Sequence, residues 1–406
     1  MKLSQPLVQI GYYCLPCQTS SILLTPIGGR YVTNCSSQRH RGILQARPGF
    51  SRSEKTALAQ QVKAEFLHAW NAYKQYAWGH DQLKPLSKSY HDWYATSLYI
   101  TPVDALDTLL LMGLGDEASS TKAFITRNLS FDKDIYVSNF EITIRLLGGL
   151  LSNYQLTGDP GLLALAEDLG TRLLPVFDSP TGIPYRFVNL QSGKVQGPET
   201  SSADAGTLLV EFGALSKLTR RPVFYDRAKR ALVEIYKRRS PIGLVGQRIN
   251  VETGEWTNTN SHLGAEIDSY YEYLLKSWLL FGDPDCQQMW LESISAVNRY
   301  LADEDRSGLW YAEADMWSGQ HTATRFGALD AFFLAVLALS GDLKRAKRLQ
   351  ASCFAMWTKY GIEPERLNYR TMAVENAEYL LFAPPTTLNF EKVIVTTEAH
   401  PITKTW

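Results

Sequence analysis

The chain has 406 residues, of which 45% are hydrophobic, 20% charged and 12% aromatic, enough for one large domain or for two to three ordinary ones. Lysine plus arginine and aspartate plus glutamate number 41 each, so the zero net charge gives no reason to expect nucleic acid or an anionic membrane as a partner. No uncharged apolar run reaches the roughly 18 residues that a helix needs to cross a bilayer, so we predict no membrane span.

Residues 1–53 mix Pro, Ser, Gly and Arg, contain no acidic side chain and show neither helical nor alternating periodicity. Polar residues and prolines interrupt the apolar stretches, so the segment carries no clear signal peptide. We interpret it as a disordered or targeting extension and assign residues 54–406 to the folded domain. Cys14 and Cys17 form a C-x-x-C pair without a second pair at zinc-ligand spacing, and we interpret the five cysteines as unpaired thiols.

From Glu54 onward, apolar residues recur three and four positions apart, which is typical of helices. A junction motif recurs about every sixty residues: Leu156-Thr-Gly-Asp159, Leu218-Thr-Arg-Arg221, Leu280-Phe-Gly-Asp283 and Leu339-Ser-Gly-Asp342. Each motif ends an almost wholly apolar helix, predicted over 139–156, 204–219, 265–281 and 326–340, which residues 102–114 resemble. Each also opens an amphipathic helix, predicted over 160–177, 222–239, 284–301 and 342–360.

A helix that is apolar nearly all round must be buried, and one with a single apolar stripe packs outside it. The repeated pairs therefore predict a closed α/α barrel or an open solenoid, and we favour the barrel. The junctions from inner to outer helix are tight, whereas the returns are long, rich in Gly, Thr, Asn and aromatic residues, and partly strand-like. We expect function on the face that carries these returns.

The repeat breaks near the C-terminus. After the amphipathic helix that ends near Tyr360, the chain offers a short helix over Glu375–Phe382, then Pro384-Pro385 and the β-branched run Val393–Thr397. We therefore predict that about one helix pair is missing near residues 370–380. The last run is predicted to form a C-terminal hairpin that threads the barrel.

Each inner helix carries acidic residues near its start: Asp104 and Asp107, Glu141, Asp204, Glu266 with Asp268 and Glu272, and Asp330. Because all inner helices are entered from the same face, their first turns meet at one end of the barrel and the acids converge there. Single acids at helix starts ordinarily cap free N–H groups. Capping does not account for Glu141 with Arg145, or for Asp268 with Glu272, because these pairs lie four apart in segments otherwise too apolar to hold charge.

Such a cavity suits a polyhydroxyl ligand, a cation, or both. Paired carboxylates are also what cleavage of a glycosidic bond needs, since one donates a proton to the leaving oxygen and the other activates water or attacks carbon. Aromatic rings in the returns could stack on sugar faces, although each is more often a packing residue: Trp256, Trp310, Tyr311 and Trp317.

Six strings resemble the class I α-1,2-mannosidases of glycoside hydrolase family 47: YAWGHDQLKPLS (76–87), TPVDALDTLLLMGL (101–114), NFEITIRLLGGLLSNYQLTGD (139–159), IPY (183–185), DSYYEYLLKSW (268–278) and TEAHP (397–401). The match runs in order over residues 60–406. The resemblance implies an all-α fold, an (α/α)7-type toroid or barrel, with short β-hairpins in the loops. It also implies calcium-dependent, inverting hydrolysis of terminal α-1,2-linked mannose from mannose-rich oligosaccharides or glycoprotein glycans.

The motifs imply roles for individual residues. Glu141 resembles the proton-donating carboxylate, Asp268 the second essential acid, and Thr397 a threonine that binds Ca²⁺ through its oxygens. Four further residues are predicted to bind the substrate. Arg145 and Glu272 lie in two of these motifs, His80 lies in the first string, and Asp330 is one of the acids at the helix starts.

The sequence also departs from the family. The family carries a Leu-Arg-Pro-Glu segment whose glutamate resembles the base that activates water, and no such string exists here. Glu363 and Glu365 match a different family segment and are not assigned this role. Two functions stay open: a mannosidase, or a catalytically impaired glycan-binding or non-functional truncated form that lacks the base. A protein-binding scaffold has no positive sequence feature. Family analogy predicts a secretory, periplasmic or extracellular location.

Overall fold

The computed structural model describes residues 51–361 and 364–376. The described residues from Gln60 onward belong to one compact unit, and those up to Ala59 to another. The α-helices are α1 Arg52–Tyr76, α2 Ile100–Leu111, α3 Gly115–Asn128, α4 Asn139–Ile142, α5 Gly148–Thr157, α6 Pro160–Leu173, α7 Ser202–Gly206, α8 Leu209–Thr219, α9 Pro222–Lys237, α10 Asp268–Phe281, α11 Pro284–Tyr300, α12 Ala328–Ala331, α13 Phe333–Leu339 and α14 Leu343–Tyr360. A π-helical turn, Thr143–Leu147, joins α4 to α5, and a 3₁₀ turn, Leu174–Phe177, extends α6.

Inner and outer helices alternate along the chain as predicted. The inner wall consists of α2, α4 with α5, α7 with α8, α10, and α12 with α13, and each of these inner members contacts the next. Their apolar side chains fill the core, as shown by fully buried residues from all five members: Val103, Leu146, Leu209, Leu274 and Leu337. The outer helices bury one stripe only, which is the pattern that an amphipathic helix dictates.

Close approach between the first two inner members depends on a glycine. A Cβ atom at Gly149 would lie 3.0 Å from the carbonyl oxygen of Val103, so α5 can approach α2 this closely only without a side chain there. The same carbonyl accepts a hydrogen bond of 2.9 Å from Nδ2 of Asn153. The buried backbone acceptor on α2 is therefore satisfied by its neighbour.

The four junction motifs reverse the chain through the same backbone conformation, a residue in the left-handed region. Their third residues all have positive φ, at 70°, 58°, 66° and 90°: Gly158, Arg220, Gly282 and Gly341. In three of the four, the aspartate that follows caps the next outer helix by accepting backbone N–H bonds: Asp159, Asp283 and Asp342. The left-handed residue ends one helix and the carboxylate begins the next, so the turn is tight.

The returns form short antiparallel strands. They are β1 Gln82–Lys84, β2 Ser89–His91, β3 Tyr136–Ser138, β4 Phe187–Asn189, β5 Val195–Gln196, β6 Glu199–Ser201, β7 Arg248–Asn250, β8 Trp256–Asn258, β9 Asn260–Ser261, β10 Ala302–Asp305, β11 Gly308–Tyr311, β12 Glu313–Asp315, β13 His321–Ala323, β14 Arg325–Gly327, β15 Arg366–Asn368 and β16 Ala373–Asn376. Four three-stranded sheets share one plan: β3-β4-β5, β6-β7-β8, β9-β12-β13 and β14-β15-β16.

In each sheet, the strand that precedes an inner helix pairs with a hairpin from the next return. The sheets therefore lie at the end of the barrel where the inner helices begin, which is the face where the sequence places function. The hairpin of β15 and β16 follows the same plan as the three before it, so the described chain keeps the repeat as far as Asn376.

This last hairpin corrects one prediction. Glu375 and Asn376 belong to strand β16, so a helix over Glu375–Phe382 is wrong for its first two residues, and the rest lies outside the described residues. The predicted hairpin at 393–397 and the extension over residues 1–50 also lie outside them. Cys286 and Cys353 are buried thiols. None of the described helices is both long and apolar enough to cross a bilayer.

Candidate active site

Glu141 and Arg145 lie on successive turns at the start of the second inner member. Ser138 caps α4 by accepting a hydrogen bond from the backbone N–H of Glu141 over 3.3 Å. The Nε atom of Arg145 donates to Oε2 of Glu141 over 3.0 Å, and its guanidinium lies 5.1 Å from the ring centre of Trp93. Arg145 sits within the π-helical turn, a feature that is frequent at functional sites.

Asp104, on α2, lies on the other side of the same guanidinium. Its Oδ2 is 3.9 Å from Nη1 of Arg145. Burial raises the pKa of Asp104 to about 6, the Arg145 charge lowers it, and the neighbouring Asp107 carboxylate raises it. One arginine therefore faces two carboxylates from different inner helices.

Asp204 on α7 and Asp268 on α10 continue this arrangement. Burial raises the pKa of Asp204, Arg186 lowers it, and the charges of Glu266 and Glu141 raise it. Burial also raises the pKa of Asp268 to about 6, against hydrogen bonds from the backbone and hydroxyl of Ser269 that lower it. The charges of Glu272 and Asp204 raise the Asp268 pKa further, so these carboxylates are close enough to affect one another.

Asp330, on α12, completes the series. Its carboxylate lies deep among protein atoms but still reaches a cavity of about 430 Å³. Burial raises its pKa to about 8, a 3.0 Å hydrogen bond from the backbone N–H of Gly327 lowers it, and the charges of Glu313 and Asp268 raise it. The cavity is lined mainly by polar and charged side chains from β-strands and helix starts: Gln247, Arg248, Asn260, His262, Glu266, Glu313, Arg325, Asp330, Glu365 and Arg366.

We call the five carboxylates that come one from each inner member the mouth acids: Asp104, Glu141, Asp204, Asp268 and Asp330. Each affects, or shares an arginine with, the next one around the barrel. The structure thus brings Glu141, Asp268 and Asp330 to one end of the barrel, as their positions on the inner helices predicted. The group contains more acids than nearby bases, which favours retention of protons by some of them.

Glu211, a buried carboxylate on α8, was not among the residues predicted from the sequence. Its Oε1 accepts a hydrogen bond of 2.6 Å from the hydroxyl of Tyr273, and its Oε2 has no hydrogen-bond partner among the described residues. Burial raises the pKa of Glu211 to about 7. The available signal was a single acid within the apolar segment LVEFGALSKL of an inner helix, which burial makes costly unless the acid is used.

Three other residues were predicted for the site, and they have different surroundings: Glu272, His80 and Thr397. Glu272 pairs with Lys276 over 2.6 Å on the same helix. Nδ1 of His80 lies 3.0 Å from Oδ2 of Asp92, and its ring stacks on Tyr90 at 3.4 Å. None of its described contacts joins His80 to the mouth acids. Thr397 lies outside the described residues.

The four aromatic residues from the returns differ in burial. Trp310 and Tyr311 are fully buried core residues. Trp256 is half-buried, and its indole N–H donates to the carbonyl oxygen of Arg238 over 2.7 Å. Only Trp317, with 52% of its surface exposed, is free to contact a ligand, and it does not line the cavity at the mouth acids.

The fold is a mainly helical α/α barrel with carboxylates at one mouth, and comparison with known proteins identifies its family. The family model described as "Glycosyl hydrolase family 47" matches residues 65–378. The chain belongs to this family. The (α/α)7 barrel of this family agrees with the fold class that the sequence predicts.

The chain is 38% identical over 340 residues to alpha-mannosidase I MNS5 of Arabidopsis thaliana, covering 77% of this chain and 58% of that protein. It is 36% identical over 321 residues to the human endoplasmic reticulum mannosyl-oligosaccharide 1,2-alpha-mannosidase, covering 75% and 46%. The chain thus spans less than two thirds of the length of these relatives. The solved alpha-1,2-mannosidase from Trichoderma reesei superposes with a TM-score of 0.70 and 26% identity over 83% of this chain and 75% of that one.

Proposed function

We propose that the protein hydrolyses terminal α-1,2-linked mannose from mannose-rich oligosaccharides or glycoprotein glycans. The observation that carries the proposal is the set of mouth acids, one from each described inner member, four of which have raised pKa values: Asp104, Asp204, Asp268 and Asp330. Glycoside hydrolysis needs a protonated and an ionised carboxylate at the same bond, and an environment that separates carboxylate pKa values supports both states at neutral pH.

Glu141 is the proposed acid and Asp268 the proposed partner. In an inverting reaction, Glu141 gives a proton to the leaving oxygen as the bond from that oxygen to the mannose anomeric carbon breaks. The oxygen of a water bonds to the same carbon from the opposite face. Because the sequence lacks the family's base-bearing segment, the proposal gives Asp268 the role of taking the proton of this water. A pKa of about 6 leaves Asp268 mostly ionised at pH 7, which suits the second role.

The other predicted residues would bind the substrate. Arg145 is held by Glu141 and Trp93, so its guanidinium presents N–H donors in a fixed direction. Glu272, Asp330 and His80 offer further polar atoms for sugar hydroxyls. Polar side chains around a cavity of about 430 Å³ suit a ligand that is rich in hydroxyl groups.

We also propose a calcium ion in this site. The unpartnered Oε2 of the buried Glu211 fits the donor chemistry, because a hard cation and its waters prefer anionic oxygen. Thr397 would hold the ion, which would supply positive charge to orient sugar hydroxyls. Within the described ranges, no group of three or more His, Cys, Asp or Glu side chains is placed to hold a metal by itself. Family analogy favours a secretory, periplasmic or extracellular location for this activity.

One observation favours the second candidate, a glycan-binding form with impaired turnover. The sequence contains no Leu-Arg-Pro-Glu segment, whose glutamate resembles the base that activates water in the family. In that case the mouth acids bind sugar, but water is activated poorly. General-base assistance is typically worth about 10²- to 10⁴-fold in rate.

Mannose release from α-1,2-mannobiose, with and without a chelator, separates the two. Release by the full chain that is lost in Glu141→Gln and reduced by chelator would support the hydrolase. Glu304→Gln, which removes an exposed acid from β10, is the matched control and should keep full activity. Glycan binding that persists without any mannose release would favour the impaired form, and loss of both would contradict either proposal.

A further inference from the structure

Trp317 lies on a second groove that shares no lining residue with the cavity at the mouth acids. The groove has a volume of about 980 Å³ and lies between the end of α9, the outer helix α11 and the turn after β12. Its walls combine apolar and polar side chains, among them Arg239, Gln288, Glu292, Arg299, Tyr300 and Trp317. This volume is near the upper end of the range of about 300–1,000 Å³ that small-molecule sites occupy.

A rigid turn presents the Trp317 indole to solvent. The carboxylate of Asp315 accepts hydrogen bonds from the backbone N–H of Trp317 over 3.1 Å and from Ser318 over 2.9 Å. Gly319 has a φ of 69°, and a Cβ atom there would lie 2.6 Å from the ring of Tyr300, so the turn packs directly on this wall of the groove. With 52% of its surface exposed, the indole of Trp317 offers an apolar face that a ligand in the groove can cover.

The polar wall is pre-organised in the same way. Glu292 accepts from Nη2 of Arg239 over 3.0 Å and from the amide of Gln288 over 2.6 Å. The guanidinium of Arg299 lies 5.3 Å from the ring centre of Tyr300, and no acid pairs with it among the described residues. This guanidinium is therefore available to a ligand in the groove.

We propose that this groove is a second, non-catalytic binding site for a mannose-rich oligosaccharide. A sugar ring has an apolar C–H face that can cover an indole and a rim of hydroxyls that can meet planar side chains such as Arg239, Arg299 and Gln288. The choice of mannose over other sugars rests on the proposed function, but the ligand is held here and not cleaved.

The test uses an oligosaccharide from which every terminal α-1,2-linked mannose has been removed, so that it offers no bond for the proposed hydrolysis. The full chain is labelled with 5-fluorotryptophan, and loss of one ¹⁹F signal in Trp317→Phe assigns the signal of Trp317. Titration should move this signal in a saturable way. Trp317→Ala should weaken binding about tenfold, because the indole loses apolar contact area, and Trp317→Phe should weaken it less.

Leu111→Ala, which removes an exposed apolar side chain at the end of α2, is the control and should bind like the wild type. Trp317→Ala should also release mannose from α-1,2-mannobiose at the wild-type rate, which separates this site from the proposed active site. A Trp317 signal that stays unmoved up to millimolar glycan would overturn the proposal. A shift caused by an unfolded polypeptide without sugar, and not by the glycan, would assign the groove to protein instead.

Discussion

Arg145 donates from Nε to Oε2 of Glu141 over 3.0 Å and also lies 3.9 Å from Oδ2 of Asp104, so one guanidinium holds two mouth acids from neighbouring inner helices. Arg145→Lys should lower kcat/KM for α-1,2-mannobiose about 10- to 100-fold. A lysine keeps the charge but loses the planar fork and the stacking on Trp93. Steady-state kinetics of mannose release measures the effect.

The control is Arg172→Lys on α6. Arg172 makes the same Nε contact, over 2.9 Å, to Asp168 four residues before it, but on an outer helix. This variant should keep wild-type kinetics. Equal losses in both variants would mean that Arg145 acts only through the stability of the barrel.

The raised pKa values predict that stability falls as pH rises. Folded-state pKa values of about 6 for Asp268 and about 8 for Asp330 exceed the ordinary value of 3.8, so the folded protein binds more protons than the unfolded chain between about pH 4 and pH 8. The stabilisation is complete below pH 4 and is lost as pH rises through these values. Each group can contribute up to about 1.4 kcal/mol per pH unit.

Urea unfolding between pH 5 and pH 8 tests this dependence. Asp330→Asn should flatten the curve most between pH 6 and pH 8, where Asp330 would otherwise lose its proton. Asp226→Asn, on the exposed side of α9, should leave the curve unchanged. Parallel curves for Asp330→Asn and the wild type would show that Asp330 does not hold a proton in the folded state.

Gly327 sets the pairing of the last described sheet. A Cβ atom at Gly327 would overlap the backbone carbonyl oxygen of Glu365, which cannot move aside as a side chain could. Gly327→Ala should therefore separate β14 from β15 and lower the free energy of unfolding by about 1–3 kcal/mol. Gly115→Ala is the control, because its new methyl group meets no other atom within 4 Å. Denaturant unfolding that shows equal stability for both variants would contradict the described pairing.

The aspartates of the junction motifs should differ in importance because they differ in burial. The Asp283 side chain is 6% exposed and accepts from Lys229 over 2.7 Å as well as from Tyr225, whereas the Asp342 side chain is 28% exposed and pairs with Arg345. Asp283→Ala should cost about 2–3 kcal/mol, since it removes the cap of α11 and leaves the Tyr225 phenol without its acceptor, while Lys229 keeps its pair with Asp285 over 2.8 Å. Asp342→Ala should cost about 1 kcal/mol, the usual effect of a lost cap. Thermal unfolding of both variants gives the order, and a reversed order would refute this account.

Much of the fold follows from local sequence. The inner and outer helices could be predicted because burial on all sides or on one side leaves a direct pattern in the apolar residues. The turns at Gly158 and Gly282 could be predicted because few residues other than glycine adopt positive φ easily. The mouth acids could be predicted as a group because one entry face for all inner helices brings their first turns together.

The remaining features depend on tertiary contacts that the sequence does not display. Trp310 and Trp317 are similar as residues of an aromatic-rich return, but one is stacked on Tyr369 in the core and the other is exposed. Glu375 lies in a segment with helical composition, yet pairing with β15 makes it a strand. Glu211 was missed because a single acid in an apolar helix is a weaker signal than a pair four residues apart, and its unpartnered oxygen is visible only in the structure.

The strands link consecutive units by main-chain hydrogen bonds, because each hairpin pairs with a strand that belongs to the unit before it. Opening of β15 would release Gly327, whose amide is bonded to Asp330, and so would disturb a carboxylate that is distant in sequence. Cooperativity between units therefore maintains the alignment of the acids. A substitution that opens a strand in one return would displace the acid at the start of the inner helix with which that strand is linked, rather than a residue of the return itself.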